Sequence, residues 1–178
     1  MSLSTIEEAL TALREGKPVL VADAENRENE GDAIMAAEFA TEEWIAWIVR
    51  NTSGYICAPM TEQMANHLEL PLMTLANQDT LRTQYTVSVD ASSGVTTGIS
   101  AADRARTLQV LADPTSTPES LIRPGHILPL RAHQGGVLAR QGHTEATVDL
   151  LKLAGLTPVG VGGAPLGAVA AIMIGAVV

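Results

Sequence analysis

The apolar residues of this chain keep changing period. Ile6, Ala9, Leu10 and Leu13 recur at helical spacing, and Val19-Leu20-Val21-Ala22 follows as a short strand. Trp44, Ile45, Ile48 and Val49 fall on one side of a helix over 41–51, and residues 85–90 alternate apolar and polar as a half-buried strand does. Helices and strands mixed in this way predict an α+β fold with a mixed sheet rather than a regular βαβ array.

Local signals set the remaining elements. Ser4-x-x-Glu7 reads as a capping box for the first helix, and Gly16 with Pro18 stops it. Strands are expected at 18–22 and 32–37, paired across an acidic loop, and at 54–60, 127–130 and 137–140. Helices are expected at 61–69, from Ser100 to about Ala112, and from Thr144 to Ala154, where Gly155 and Pro158 end the last one. With 178 residues and neither a repeat nor a low-complexity linker, 1–178 reads as one domain. Aromatic residues make up only 3%, so the core must be aliphatic, and base stacking has little to work with.

The formal net charge of −9 disfavours nucleic acid and anionic lipid as partners. An anionic substrate must therefore meet a local basic cluster or a metal. Cys57 is the one cysteine, which fits a reducing cytoplasm, and the acidic N-terminal segment does not read as a signal peptide. Residues 159–178 carry no charge, but four glycines and a proline in the first half argue for a buried strand or an atypical tail over a membrane anchor.

Four stretches carry candidate chemistry. Residues 23–32, DAENRENEGD, place five carboxylates around Arg27 and beside Gly31. Their mutual repulsion calls for a cation, and hard oxygen ligands suit Mg²⁺ or Mn²⁺. Arg140, Gly142, His143 and Thr144 lie where a helix begins, a ready anion site. An ordinary capped helix would read the same way. RPGH at 123–126 can present His126 from a turn, or leave it on the surface. GVTTGISAADR at 94–104 precedes a helix and could cradle phosphate or serve as a plain capped loop, and it is not a Walker A motif. His67 and His133 carry no assigned role.

RENEGD (27–32), GVTTGISAADR (94–104), RPGH (123–126) and GHTEA (142–146), in this order, resemble the 3,4-dihydroxy-2-butanone 4-phosphate synthase family. The resemblance runs from about Ile6 to Val161. It implies a three-layer α-β domain with a mixed twisted sheet flanked by helices, and a homodimer with active sites at the interface. It implies a Mg²⁺- or Mn²⁺-dependent lyase of riboflavin biosynthesis that converts D-ribulose 5-phosphate into formate and L-3,4-dihydroxy-2-butanone 4-phosphate. By the same resemblance Glu28 and His143 hold the metal. Arg27, Glu28, Asp32, Arg140, Gly142, His143 and Thr144 contact substrate, and His126, Glu30 and Cys57 are the catalytic candidates.

The chain departs from the family pattern in two places. Ala24 and Asn26 stand where aspartates are usual. Gly163-Ala164 replaces a cysteine–glutamate pair whose glutamate is a substrate or catalytic residue, so the region from about 162 reads as atypical or truncated. A catalytically impaired relative that still binds sugar phosphate is the alternative this leaves.

Overall fold

In the computed structural model, which describes residues 4–23 and 30–164, Thr5 caps the first helix, α1 (Ile6–Arg14). Its hydroxyl accepts from the Glu8 N–H, and the Glu8 carboxylate accepts from the Thr5 N–H at 2.8 Å. The capping box thus sits one residue later than Ser4-x-x-Glu7. Both registers satisfy the motif, and the one used buries Ala9, Leu10 and Leu13.

The strands are β1 (Val19–Ala22), β2 (Gly31–Ala36), β3 (Cys57–Met60), β4 (Val89–Ala91), β5 (Leu121–Arg131) and β6 (Gly160–Gly163). The further helices are α2 (Glu42–Asn51), α3 (Glu62–His67), α4 (Ala101–Ala112) and α5 (His143–Ala154). One six-stranded sheet runs in the order β1-β2-β6-β3-β5-β4. The β3–β5 pair is parallel and the other named pairs are antiparallel, so the sheet is mixed as expected.

Alternation along β2 shows the layering. Ile34 and Ala36 join α1 and α5 in one core cluster, whereas Met35 joins α2 and α4 in the other. Helices therefore cover both faces, which makes three layers. Both clusters are almost wholly aliphatic, with Phe39 and Trp44 packed at their margins.

Several sequence expectations shift. Residues 137–140 are not a strand. Gly135 (φ 94°) and Gly136 (φ 61°) take left-handed conformations that lead into a 3₁₀ turn at Gly136–Leu138. Residues 85 and 86 make only single bridges, and the regular strand is β4. The strand expected at 127–130 is instead eleven residues long and runs through Pro124 and Gly125. Those two look like breakers, but they lie where the β4–β5 register shifts between Val89 and Asp90, and a bulge absorbs them.

Strand β6 is glycine-rich because it is central and pressed between layers. A Cβ on Gly160 would lie 2.2 Å from Thr147 Cγ2, and one on Gly163 would lie 2.9 Å from Ile48 Cγ2. The uncharged segment therefore does begin as a buried strand near Val159. Its continuation beyond Ala164 lies outside the described residues. Among the described residues no helix is long and apolar enough to cross a membrane.

Candidate active site

The β1–β2 hairpin is closed at its neck by two hydrogen bonds. The Glu30 N–H donates to Asp23 Oδ1 at 2.8 Å, and the Asp23 N–H donates to Glu30 O at 3.1 Å. This neck brings Glu30 and Asp32 to the rim of a cavity of about 170 Å³. Arg27 and Glu28, the other two candidates from the acidic loop, lie outside the described residues.

Separate parts of the chain meet at this cavity, whose floor includes Leu130, Gly162 and Ala164. The hairpin supplies Glu30 and Asp32, the segment entering β3 supplies Ser53, Tyr55 and Cys57, and the start of α5 supplies Arg140, His143 and Thr144. The stretch before β4 adds Thr83 and Tyr85. Asp32 and Cys57 converge because β6 lies between their strands: Gly162 pairs with Cys57 and its Cα environment reaches the Asp32 carboxylate, 3.8 Å from an ideal Cβ.

The α5 end has the character of an anion site. Gly142 precedes the helix and provides no side-chain cap, so the first-turn N–H groups and the positive end of the dipole border the cavity. Thr144 is buried there. Arg140 is held on three sides: Nη1 pairs with Glu145 Oε2 at 2.5 Å, Nη2 donates to Thr83 Oγ1 at 3.1 Å, and Nε donates to Leu81 O at 3.2 Å. Gly142 does not itself line the cavity.

Burial sets the protonation state of the opposite wall. It pushes the Cys57 thiol up to about 12, with the Asp32 charge adding to the effect. Cys57 is therefore a neutral thiol at physiological pH and offers no thiolate nucleophile. Burial likewise raises Tyr55, and it lifts Tyr85 to about 12 with Cys57 as the next cause. The two tyrosine rings meet edge-on, with centroids 6.3 Å apart.

Sequence reasoning missed Ser53, Tyr55, Thr83 and Tyr85. One signal pointed to two of them: the chain has two tyrosines, and both line this cavity rather than the core.

His126 lies elsewhere. Leu130 lines the cavity and His126 precedes it by four residues on β5, about 13 Å along an extended strand. His126 Nδ1 is 2.7 Å from Asp90 Oδ2, and its backbone N–H donates to Asp90 Oδ1 at 2.9 Å. Gly98 of the 94–104 stretch lies against this pair, and none of the stretch lines the cavity, although Arg104 Nη1 donates to Gly54 O at 3.4 Å, between the lining residues Ser53 and Tyr55. Ser100 caps α4, and the Asp103 carboxylate accepts from Thr96 N, Thr96 Oγ1 and Gly98 N at 3.0, 2.7 and 3.0 Å. The Thr96 hydroxyl bond leads the causes that lower the Asp103 pKa.

Among the described residues no group of three or more His, Cys, Asp and Glu side chains forms a metal cluster. Mg²⁺ does not require one, because it commonly takes one or two protein ligands and completes its shell with water and substrate oxygens. Glu30 and Asp32 at this cavity are oxygen donors of the right chemistry for a hard divalent cation, and the His143 imidazole lines the same cavity as a nitrogen donor.

The fold is thus an α+β domain with helices on both faces of a mixed sheet, and its polar cleft, with carboxylates, a histidine and an arginine at a helix start, has the chemistry to hold a small anionic ligand. The sequence model of 3,4-dihydroxy-2-butanone 4-phosphate synthase matches residues 7–167. A riboflavin biosynthesis protein RibBA of Salinispora arenicola is 60% identical over 160 residues, covering 90% of this chain and 38% of that protein. A 3,4-dihydroxy-2-butanone 4-phosphate synthase of Vibrio cholerae is 53% identical over 159 residues, covering 89% and 73%. A crystal structure of such a synthase in complex with two magnesium ions superimposes with a TM-score of 0.91 at 46% identity, over 94% of this chain and 81% of that one. The chain belongs to the 3,4-dihydroxy-2-butanone 4-phosphate synthase family. It spans less than half the length of the RibBA protein it matches.

Proposed function

We propose that this chain converts D-ribulose 5-phosphate into formate and L-3,4-dihydroxy-2-butanone 4-phosphate in riboflavin biosynthesis. The observation that carries this reading is the convergence of Glu30, Asp32, Cys57, Arg140, His143 and Thr144 on one cavity.

The substrate phosphate docks at the start of α5, where the helix dipole, the Thr144 hydroxyl and the Arg140 guanidinium meet it. That leaves the sugar chain to run toward the hairpin carboxylates. Glu30 and Asp32 take the proton from the substrate carbon during enolisation, and the carboxyl so protonated returns it to the hydroxyl that leaves as water during dehydration. Cys57 and Tyr85 are neutral, so they donate hydrogen bonds and shield the cavity from water without competing as nucleophiles. Glu28 and His143 hold the divalent ion, Mg²⁺ or Mn²⁺; when bound, it polarises the substrate carbonyl as a Lewis acid. The test is formate release from ribulose 5-phosphate with added Mg²⁺. Formation of a pentose phosphate isomer without formate would overturn the assignment.

The functional unit is a homodimer with its sites at the interface. The separation of His126 from the cavity of its own chain supports this, because a second copy can bring the Asp90–His126 pair to it. An Arg140→Ala chain and a His126→Ala chain, each inactive alone, are then expected to regain about a quarter of the wild-type rate when unfolded and refolded together, since half the random dimers carry one intact site. No regain would place His126 in the site of its own chain.

Ala164 lines the cavity, and its carbonyl accepts from the Ser53 N–H at 2.7 Å, so its backbone is anchored. A carboxylate added there would point into the site that the family glutamate serves. Ala164→Glu is expected to raise kcat for formate release by about a hundredfold, the low end of what a positioned proton-transfer group contributes. An unchanged kcat in a folded, metal-binding variant would remove position 164 from the chemistry.

A further inference from the structure

We propose that Glu145 is the positioning residue that aims Arg140 at the substrate phosphate, an inference that rests on the reading of the cavity given above. Glu145 does not line the cavity and is 1% exposed, so it can act only through a neighbour. A carboxylate buried to that degree is tolerated only when its oxygens are satisfied. Here one oxygen, Oε2, takes Arg140 Nη1 at 2.5 Å, and the other, Oε1, takes the His133 N–H at 2.8 Å.

The geometry on the arginine side explains the consequence. A guanidinium has five N–H donors, and Arg140 commits three of them, to Glu145, Thr83 and Leu81. One N–H on each terminal nitrogen remains, which is the fork that two phosphate oxygens accept. Glu145 fixes the plane of that fork. It does so from the first turn of α5, the same turn whose N–H groups meet the anion, so both halves of the phosphate site are set by one rigid element.

Gly142 provides an independent mark of the same device. Its φ of −131° is open to any residue, so conformation does not demand glycine there. Space does: an added Cβ would lie 2.3 Å from Arg140 Nη1 and 2.7 Å from Glu145 Oε2. The turn is cleared of a side chain so that the ion pair can pass across it.

The test compares Glu145→Gln with the intact chain. The amide keeps the shape but can accept from only one of the two partners and presents a donor to the other. The KM for ribulose 5-phosphate is expected to rise about tenfold while kcat changes less than about threefold, the loss of one charge-assisted bond made equally in ground and transition states. Calorimetric titration with inorganic phosphate should show the same weakening. In the Arg140→Lys background the Glu145→Gln change should add little, because the two act as one unit. A merely structural role would instead add its loss in full.

Unchanged phosphate affinity in Glu145→Gln, or additive losses in the double variant, overturns the inference. If Glu145→Gln does not fold, Glu145→Asp decides: it keeps the charge, shortens the reach, and should show the same KM-only loss, whereas a kcat loss with normal KM overturns the inference. A wild-type chain that binds phosphate without releasing formate would sink the functional assignment, while the Glu145 comparison would still be read from phosphate binding.

Discussion

Gly125→Ala is expected to lower the melting temperature by about 10 °C or more, from a loss of about 3–5 kcal/mol in a domain of this size. An ideal Cβ at this position would lie 2.0 Å from Val89 C, 2.2 Å from Asp90 N and 2.3 Å from Val89 O. All three are backbone atoms, so no rotamer change relieves the overlap, and the two chain segments must part. They part at the bulge where Val89 pairs with Ile127 but Asp90 pairs with Ile122. The same bulge holds the His126 N–H and ring against Asp90, so the variant should also lose the Asp90–His126 contact. Thermal melting followed by circular dichroism checks the first effect. A melting point within 3 °C of wild type would show that β4 and β5 do not approach this closely.

Much of the fold could be read from local patterns, because most elements are amphipathic and carry their own caps. The Thr41, Thr61 and Ser100 hydroxyls each accept from a first-turn N–H, and Gly155 ends α5 in a left-handed conformation (φ 73°), as their residue types predict. The β1–β2 hairpin across the acidic loop was equally plain. What stayed hidden depended on neighbours distant in sequence. Pro124 and Gly125 read as a turn, since nothing local reveals that Val89 presses against that glycine. The glycines at 135 and 136 turned an apparent strand into a 3₁₀ turn through their left-handed conformations, and at Gly136 a Cβ would also lie 2.0 Å from the Asp149 carboxylate, a neighbour that nothing local reveals.

The site divides in the same way. The hairpin carboxylates and the Arg140–Thr144 stretch were visible because each packs several chemical groups into a few residues. Tyr55 and Thr83 were not, because each is a single side chain delivered by an irregular segment. Arg140 was legible as a candidate phosphate partner but its ion pair with Glu145 was not, since a glutamate in a first helical turn has a sufficient reason in the helix dipole alone.

Glu28→Gln is expected to reduce formate release by about a thousandfold or more, the scale of losing the hold on an electrophilic metal ion. Residues 23–32 carry five carboxylates and one arginine, and the neck of the hairpin is tied by the Asp23–Glu30 pair. Repulsion on that scale favours a bound cation, and a divalent ion relieves it most. If relief of charge were the whole role, any one carboxylate in the loop could be neutralised with similar effect. Glu25→Gln makes the same charge change in the same loop and serves as the control. The expected pattern is near-normal turnover in Glu25→Gln, near-complete loss in Glu28→Gln, and unchanged melting temperature in both without added metal. Magnesium should raise the melting temperature of the wild type and of Glu25→Gln but not of Glu28→Gln, because a ligand stabilises only the fold that binds it. Equal losses in the two variants would mean that the loop acts through its total charge and that Glu28 is not the residue that holds the ion.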